Sequence, residues 1–215
     1  MDFTRQLGII KPTDLEETIH IIGLGGIGSF TVQVLAKMGC TSLVGYEPDI
    51  VEEHNVPNQN FRLSDIGVPK GEAIAWIVRE FTGVTLAFHP EKFDGSQELS
   101  GIVIAAVDSM QSRQVIWDAV KLNPRVRLFI DGRIGGQIVR LFTINPCSPD
   151  DIDLYESNLF PDERAQELPC TERAVIYTSY FIAGFIANHV KKFSKGESFD
   201  RNIIWDSQTM TFIAS

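Results

Sequence analysis

The 215 residues include 19 Lys and Arg against 28 Asp and Glu, a formal net charge of −9, with 44% hydrophobic and 22% charged residues. That length suits one α/β core better than two, and an acidic balance argues against broad binding to nucleic acid or anionic membrane, which needs a basic face. No apolar run reaches the roughly 18 residues that span a bilayer, the opening MDFTRQLGII lacks a signal-peptide centre, and three scattered cysteines, Cys40, Cys147 and Cys170, suit a reducing cytoplasm better than a disulfide framework.

Residues 1–17 read as an N-terminal arm. Thr18 to Leu24 (TIHIIGL) is a β-rich apolar run ending in glycine, the pattern of a buried parallel strand. Gly28 to Met38 has helical spacing, with Phe30, Val34, Leu35 and Met38 on one side and Gly39 as its stop. Thr41 to Glu47 is a second strand. Pro69 to Phe81 is a helix entered at proline, with Ile74, Ile77, Val78 and Phe81 as its apolar stripe. Strands follow at Val84 to His89 and Gly101 to Val107, then a helix over Ser109 to Leu122 and a strand at Val126 to Asp131. Gly136 to Ile144 is a strand whose direction the pattern leaves open. The acidic, proline-bounded stretch 146–170 has weak periodicity and reads as a loop crossing over the sheet. A helix from Thr171 to Phe193 and a hairpin over Asn202 to Ala214 close the chain. This alternation predicts a single α/β domain over 1–215: a Rossmann-like, doubly wound, mostly parallel sheet with helices on both faces.

Gly23, Gly25, Gly26 and Gly28 spell GLGGIG between the first strand and the first helix. Glycines let the backbone approach a phosphate closely, and the helix N-terminus offers free N–H groups and partial positive charge. The loop alone does not separate NAD from ATP. Glu47 ends the second strand, about 20 residues on, where such folds bind a ribose. Asp49, Asn55, Gln59 and Lys70 follow, and this mixture of acid, amides and lysine looks like a triphosphate site rather than a dehydrogenase.

The run YEPDIVEEHNVPNQNF followed by DIGVPKGEA resembles the ThiF, MoeB and ubiquitin-activating-enzyme family. So do Arg5-Gln6, the glycine loop, VIAAVDS ending in Asp108, Arg113, DGRIGGQI, and Cys170-Thr171-Glu172. The resemblance implies an adenylyltransferase that uses ATP and Mg²⁺ to activate the C-terminal carboxylate of a small ubiquitin-like or sulfur-carrier protein. It implies that Glu47 binds ribose, Asn55 and Gln59 line the phosphates and ribose, Lys70 holds phosphates, and Asp108 ligates magnesium. Arg5 would reach the neighbour's triphosphate in a homodimer, and Cys170, near a helix N-terminus, would be a candidate thioester nucleophile.

The chain departs from that pattern at Asn58, where the family usually has arginine; Arg62 is the nearby candidate to replace its charge. The paired CxxC motifs of many relatives are absent, so structural zinc is not expected. A carboxylate is already ionised at neutral pH, so adenylation needs positioned cations rather than a general base. The four scattered histidines, His20, His54, His89 and His189, accordingly read as structural. Two other readings stay open: adenylation of a peptide, tRNA base or small acid, and a catalytically inactive nucleotide-binding partner subunit. Asp108 has a plainer alternative as the N-cap of the helix that follows it.

Overall fold

The computed structural model describes residues 1–161 and 174–215. Its centre is β1 (Ile19–Ile22), four residues buried without exception, as expected of a strand covered on both faces. β1 pairs in parallel with β2 (Leu43–Tyr46) on one side and β4 (Gly101–Ala105) on the other. Parallel pairing continues outward to β3 (Ala87–His89) and β5 (Val126–Gly135). The sheet then turns antiparallel through β6 (Ile138–Ile144), β7 (Asn202–Asp206) and β8 (Thr211–Ala214). The strand order is β3-β2-β1-β4-β5-β6-β7-β8.

The helices divide between the faces. α1 (Gly28–Met38), α2 (Lys70–Thr82) and α5 (Ile176–Ser194) cover one side, where Leu35, Ile74, Ile77, Ile182 and Ile186 pack on Ile21, Ile104 and Ile130. α3 (Met110–Val120) and α4 (Pro149–Glu156) cover the other, where Trp117, Phe129, Phe142 and Tyr155 form a buried aromatic cluster. Trp117 and Tyr155 lie 4.6 Å apart between ring centroids, and Tyr155 meets Phe129 edge-on at 5.2 Å. Gly39 ends α1 in the left-handed region (φ 117°), the conformation a side chain resists.

Two sequence expectations change, and a direction left open is now given. The stretch 146–170 is not loop throughout: it contains α4, with Pro149 at the first turn, where a missing N–H costs nothing. β6 is antiparallel, because only Gly136 and Gln137 separate it from β5 and a parallel return needs a long crossover. α5 begins at Ile176, with Val175 extended as its N-cap, rather than at Thr171; Cys170 lies outside the described residues.

Candidate nucleotide site

β1 is where the strand order reverses, and its neighbours β2 and β4 lead to helices on opposite faces. The crevice beyond the C-terminal ends of β1 and β4 is where open α/β sheets bind ligands. Gly23 enters it with φ +91°, and a Cβ there would lie 2.6 Å from the Ala106 carbonyl oxygen. A Cβ on Gly28 would overlap the Gly23 carbonyl oxygen, so these two glycines are required by the turn itself. The amides of Gly25, Gly26 and Ile27 donate to no described group, and no side chain caps α1. Free N–H groups at a helix N-terminus are an anion site.

Glu47 stitches the loop to the second strand. One carboxylate oxygen accepts Leu24 N–H at 2.8 Å and the other accepts Asp49 N–H at 3.1 Å. Asp49 in turn receives Lys70 twice, at its carbonyl from the backbone N–H (2.9 Å) and at its carboxylate from Nζ (3.0 Å). Lys70 is only 7% exposed, while Asp49 is open to solvent. The glycine loop, Glu47, Asp49 and Lys70 are thus one bonded series. Asn55 is buried, and its side-chain oxygen accepts Glu52 N–H. Gln59 lies 3.8 Å from where a Gly25 Cβ would be, and its Oε1 is buried without a hydrogen-bond partner. An orphaned acceptor beside open glycine backbone fits a ligand that brings a donor.

Asp108 stands two residues beyond Ala106, whose N–H donates to Ile22 O. Its carboxylate is exposed and makes no hydrogen bond or ion pair with a described residue. Ser109, not Asp108, caps α3, accepting Ser112 N–H at 3.1 Å. The described residues hold no cluster of three or more metal-ligating side chains. One unengaged carboxylate at this strand end fits a magnesium ion that arrives on a nucleotide, which is held by one or two protein carboxylates.

Arg62 and Arg5 are not brought to this crevice in one copy. The Arg62 guanidinium is taken by Asp65 (3.0 Å) and Glu80 (2.9 Å), which together hold its pKa above the ordinary arginine value despite some desolvation. Arg5 lines a cavity of about 430 Å³ with Met1, Phe3, Lys37 and Phe81. Lys37 is in the last turn of α1, so this cavity is about 15 Å from the phosphate loop along the helix. Sequence reasoning missed Ser29, which donates to Gly25 O at 2.6 Å and accepts Asn60 N–H at 3.0 Å, fixing the 58–60 segment against the loop. It also missed Ser179 of α5, which donates to Asn58 O at 3.4 Å. Such contacts between distant segments leave no local signal.

The ThiF family pattern matches residues 12–212. The chain belongs to the ThiF family. It is 27% identical over 213 residues to the SAMP-activating enzyme E1 of Haloferax volcanii, covering 92% of this chain and 76% of that one. It is 28% identical over 125 residues to the adenylyltransferase and sulfurtransferase UBA4 of Yarrowia lipolytica, covering 55% of this chain and only 32% of the other. Among solved structures, E. coli MccB with ATP superposes with a TM-score of 0.74 over 95% of this chain and 64% of its own, at 17% identity, a likeness of fold. Enzymes of the ThiF family use ATP. No helix among the described residues is long and apolar enough to cross a membrane.

Proposed function

We propose that this protein adenylates the C-terminal carboxylate of a small ubiquitin-like or sulfur-carrier protein, using ATP and Mg²⁺. The observation that carries the reading is the bonded series from the glycine loop through Glu47 and Asp49 to Lys70, with an unengaged Asp108 at the adjacent strand end. A carboxylate oxygen of the carrier attacks the α-phosphorus of ATP; the P–O bond to pyrophosphate breaks and an acyl-adenylate remains. No proton needs to be removed first. The amides of Gly25, Gly26 and Ile27 receive phosphate oxygens, and Lys70 offsets charge as pyrophosphate departs. Each Glu47 oxygen retains a lone pair for a ribose hydroxyl. Magnesium, when bound with the nucleotide, supplies further charge neutralisation, and Asp108 would hold it.

Lys70 carries the only positive charge in this series, since position 58 is Asn and Arg62 is engaged elsewhere. A second copy supplying Arg5, whose side chain is exposed and bonded to no described residue, would make up the deficit. The homodimer belongs to the proposal for that reason. Mixing inactive Arg5→Ala and Lys70→Ala proteins should then restore part of the activity; no recovery after subunit exchange would remove the trans role.

ATP–pyrophosphate exchange tests the main reading. Exchange that appears with a ubiquitin-like protein ending in Gly-Gly, and is lost in Lys70→Ala, is the expected result. Exchange with a peptide or small acid instead would change the acceptor class. Bound ATP without exchange, whatever the acceptor, would make the protein a non-catalytic subunit.

A further inference from the structure

A buried group of charges lies behind the Asp108 loop and has no part in the chemistry above. Arg113, in the first turns of α3, is 5% exposed, and Asp131 on β5 is fully buried. Arg113 Nε donates to Asp131 Oδ1 at 3.0 Å. Its Nη2 donates to Val107 O at 2.5 Å and reaches Gly132 O at 3.4 Å. The other oxygen of Asp131 accepts Arg133 Nε (2.7 Å) and the Tyr155 hydroxyl (2.9 Å). Arg133 continues to Asn158 O at the end of α4, at 3.1 Å.

A buried ion pair contributes little net stability over apolar packing of the same volume, so stability alone is a weak reason for placing one here. What the arrangement does provide is direction. The Val107 carbonyl belongs to the peptide unit whose nitrogen is that of Asp108. One guanidinium plane, locked by Asp131, therefore fixes the orientation of the Val107–Asp108 peptide. Two peptide units earlier, the Ala105–Ala106 peptide is held by the bond from Ala106 N–H to Ile22 O. The Asp108 carboxylate makes no side-chain bond of its own to a described residue, so its aim is set through this backbone.

We infer that Arg113 is a positioning residue: held by Asp131, it fixes the Val107 carbonyl and so aims the Asp108 carboxylate at the divalent cation carried by the nucleotide. The inference rests on the magnesium role proposed for Asp108. A lysine at 113 keeps the charge but presents one nitrogen, which cannot serve Asp131 and Val107 O in the same planar geometry.

The test uses Mn²⁺ as the probe, titrated by electron paramagnetic resonance into the full chain with a non-hydrolysable ATP analogue. Binding of the analogue without metal is measured separately by calorimetry. Arg113→Lys should weaken Mn²⁺ in the ternary complex by about tenfold, the scale seen when an outer partner of a metal ligand is removed, and leave metal-free analogue binding unchanged. Asp108→Asn should weaken Mn²⁺ at least as much, and adding Arg113→Lys to it should cost nothing more, because the two act as one unit. If Arg113→Lys fails to fold by its melting curve, Asp131→Asn, which keeps the shape and removes the locking charge, takes its place in the same cycle. Unchanged Mn²⁺ affinity in Asp108→Asn would remove the magnesium reading itself. A loss in Asp108→Asn with none from the partner variant, or losses that add in the double variant, would overturn the positioning role alone.

Discussion

Glu47 is the side chain on which loop and strand both depend, and Glu47→Gln isolates its charge. The carboxylate accepts Leu24 N–H at 2.8 Å and Asp49 N–H at 3.1 Å. An amide has one acceptor, so one of these donors must face an NH₂ group. Leu24 is fully buried and cannot recover a partner from water, whereas Asp49 is exposed and can. The amide should therefore turn its oxygen to Leu24 and give up Asp49. A hydrogen bond to a charged acceptor contributes about 1.5 to 3 kcal/mol, and rehydration of the Asp49 amide places the loss near the lower end, about 1.5 to 2 kcal/mol. For a chain of this size that lowers Tm by roughly 3 to 8 °C.

The same substitution frees the segment that carries Asp49, and with it the anchor of Lys70 Nζ. ATP affinity, measured by calorimetry, should fall along with Tm in differential scanning fluorimetry. A variant with unchanged melting and unchanged ATP affinity would refute the idea that the Glu47 charge organises this site. A fall in Tm with undiminished affinity would restrict Glu47 to a structural part.

Arg62→Gln should leave ATP affinity unchanged, because its guanidinium serves Asp65 and Glu80; Asp65 is buried and would keep the Arg62 backbone N–H but lose the guanidinium, so the cost in urea unfolding should be about 1 to 3 kcal/mol. Weakened ATP binding in a fully folded Arg62→Gln protein would return the residue to the phosphate site. Cys170→Ala should leave adenylate formation intact and abolish any thioester to the carrier, and a thioester that persists on gels would exclude this thiol as nucleophile. His189 is buried against Thr143 Oγ1 at 2.7 Å, and desolvation, then the Lys192 charge, pushes its pKa from 6.5 down to about 4. Between those values the unfolded chain binds the proton and the folded one does not, so stability is complete above pH 6.5 and falls as the pH drops towards 4. The displacement corresponds to about 3 kcal/mol, and His189→Gln, which keeps a partner for Thr143, should flatten that part of the stability–pH curve.

Where local rules and tertiary packing agree, the elements were readable from the sequence. The helix expected over Gly28 to Met38 is α1 with the same ends, because an apolar stripe, a glycine entry and a left-handed Gly39 all coincide there. The stretch 146–170 misled for a definite reason. Prolines at its ends suggest a loop, yet Pro149 is tolerated at a first helical turn, Asp150 and Asp151 favour the positive end of the helix, and Ile152 and Tyr155, three apart, form the buried face. Eight residues give too short a repeat to register as periodicity. The direction of β6 was left open by the sequence pattern, because only the extension of β5 to Gly135 reduces the connection to Gly136 and Gln137, a length that permits only a hairpin.

The chemical elements of the site were legible as residue types, and their wiring was not. Asp131 and Arg113 both fall within motifs that carry the family resemblance, yet nothing in the spacing pairs residues 18 apart on a strand and a helix, or adds Tyr155 from a third element. The sign of the local charge follows the same logic. Asp131 carries one negative charge among Arg113 and Arg133, so the cluster behind Asp108 keeps a positive excess inside a chain whose total is −9. An aspartate that must attract a cation would lose affinity beside bare positive charge. Here the guanidiniums are bonded to Asp131 and to backbone carbonyls, so their field is partly cancelled at source while their geometry is kept. On the proposed reading, charge in this cluster fixes direction, and the attraction for anions is left to Lys70 and the open amides of the glycine loop.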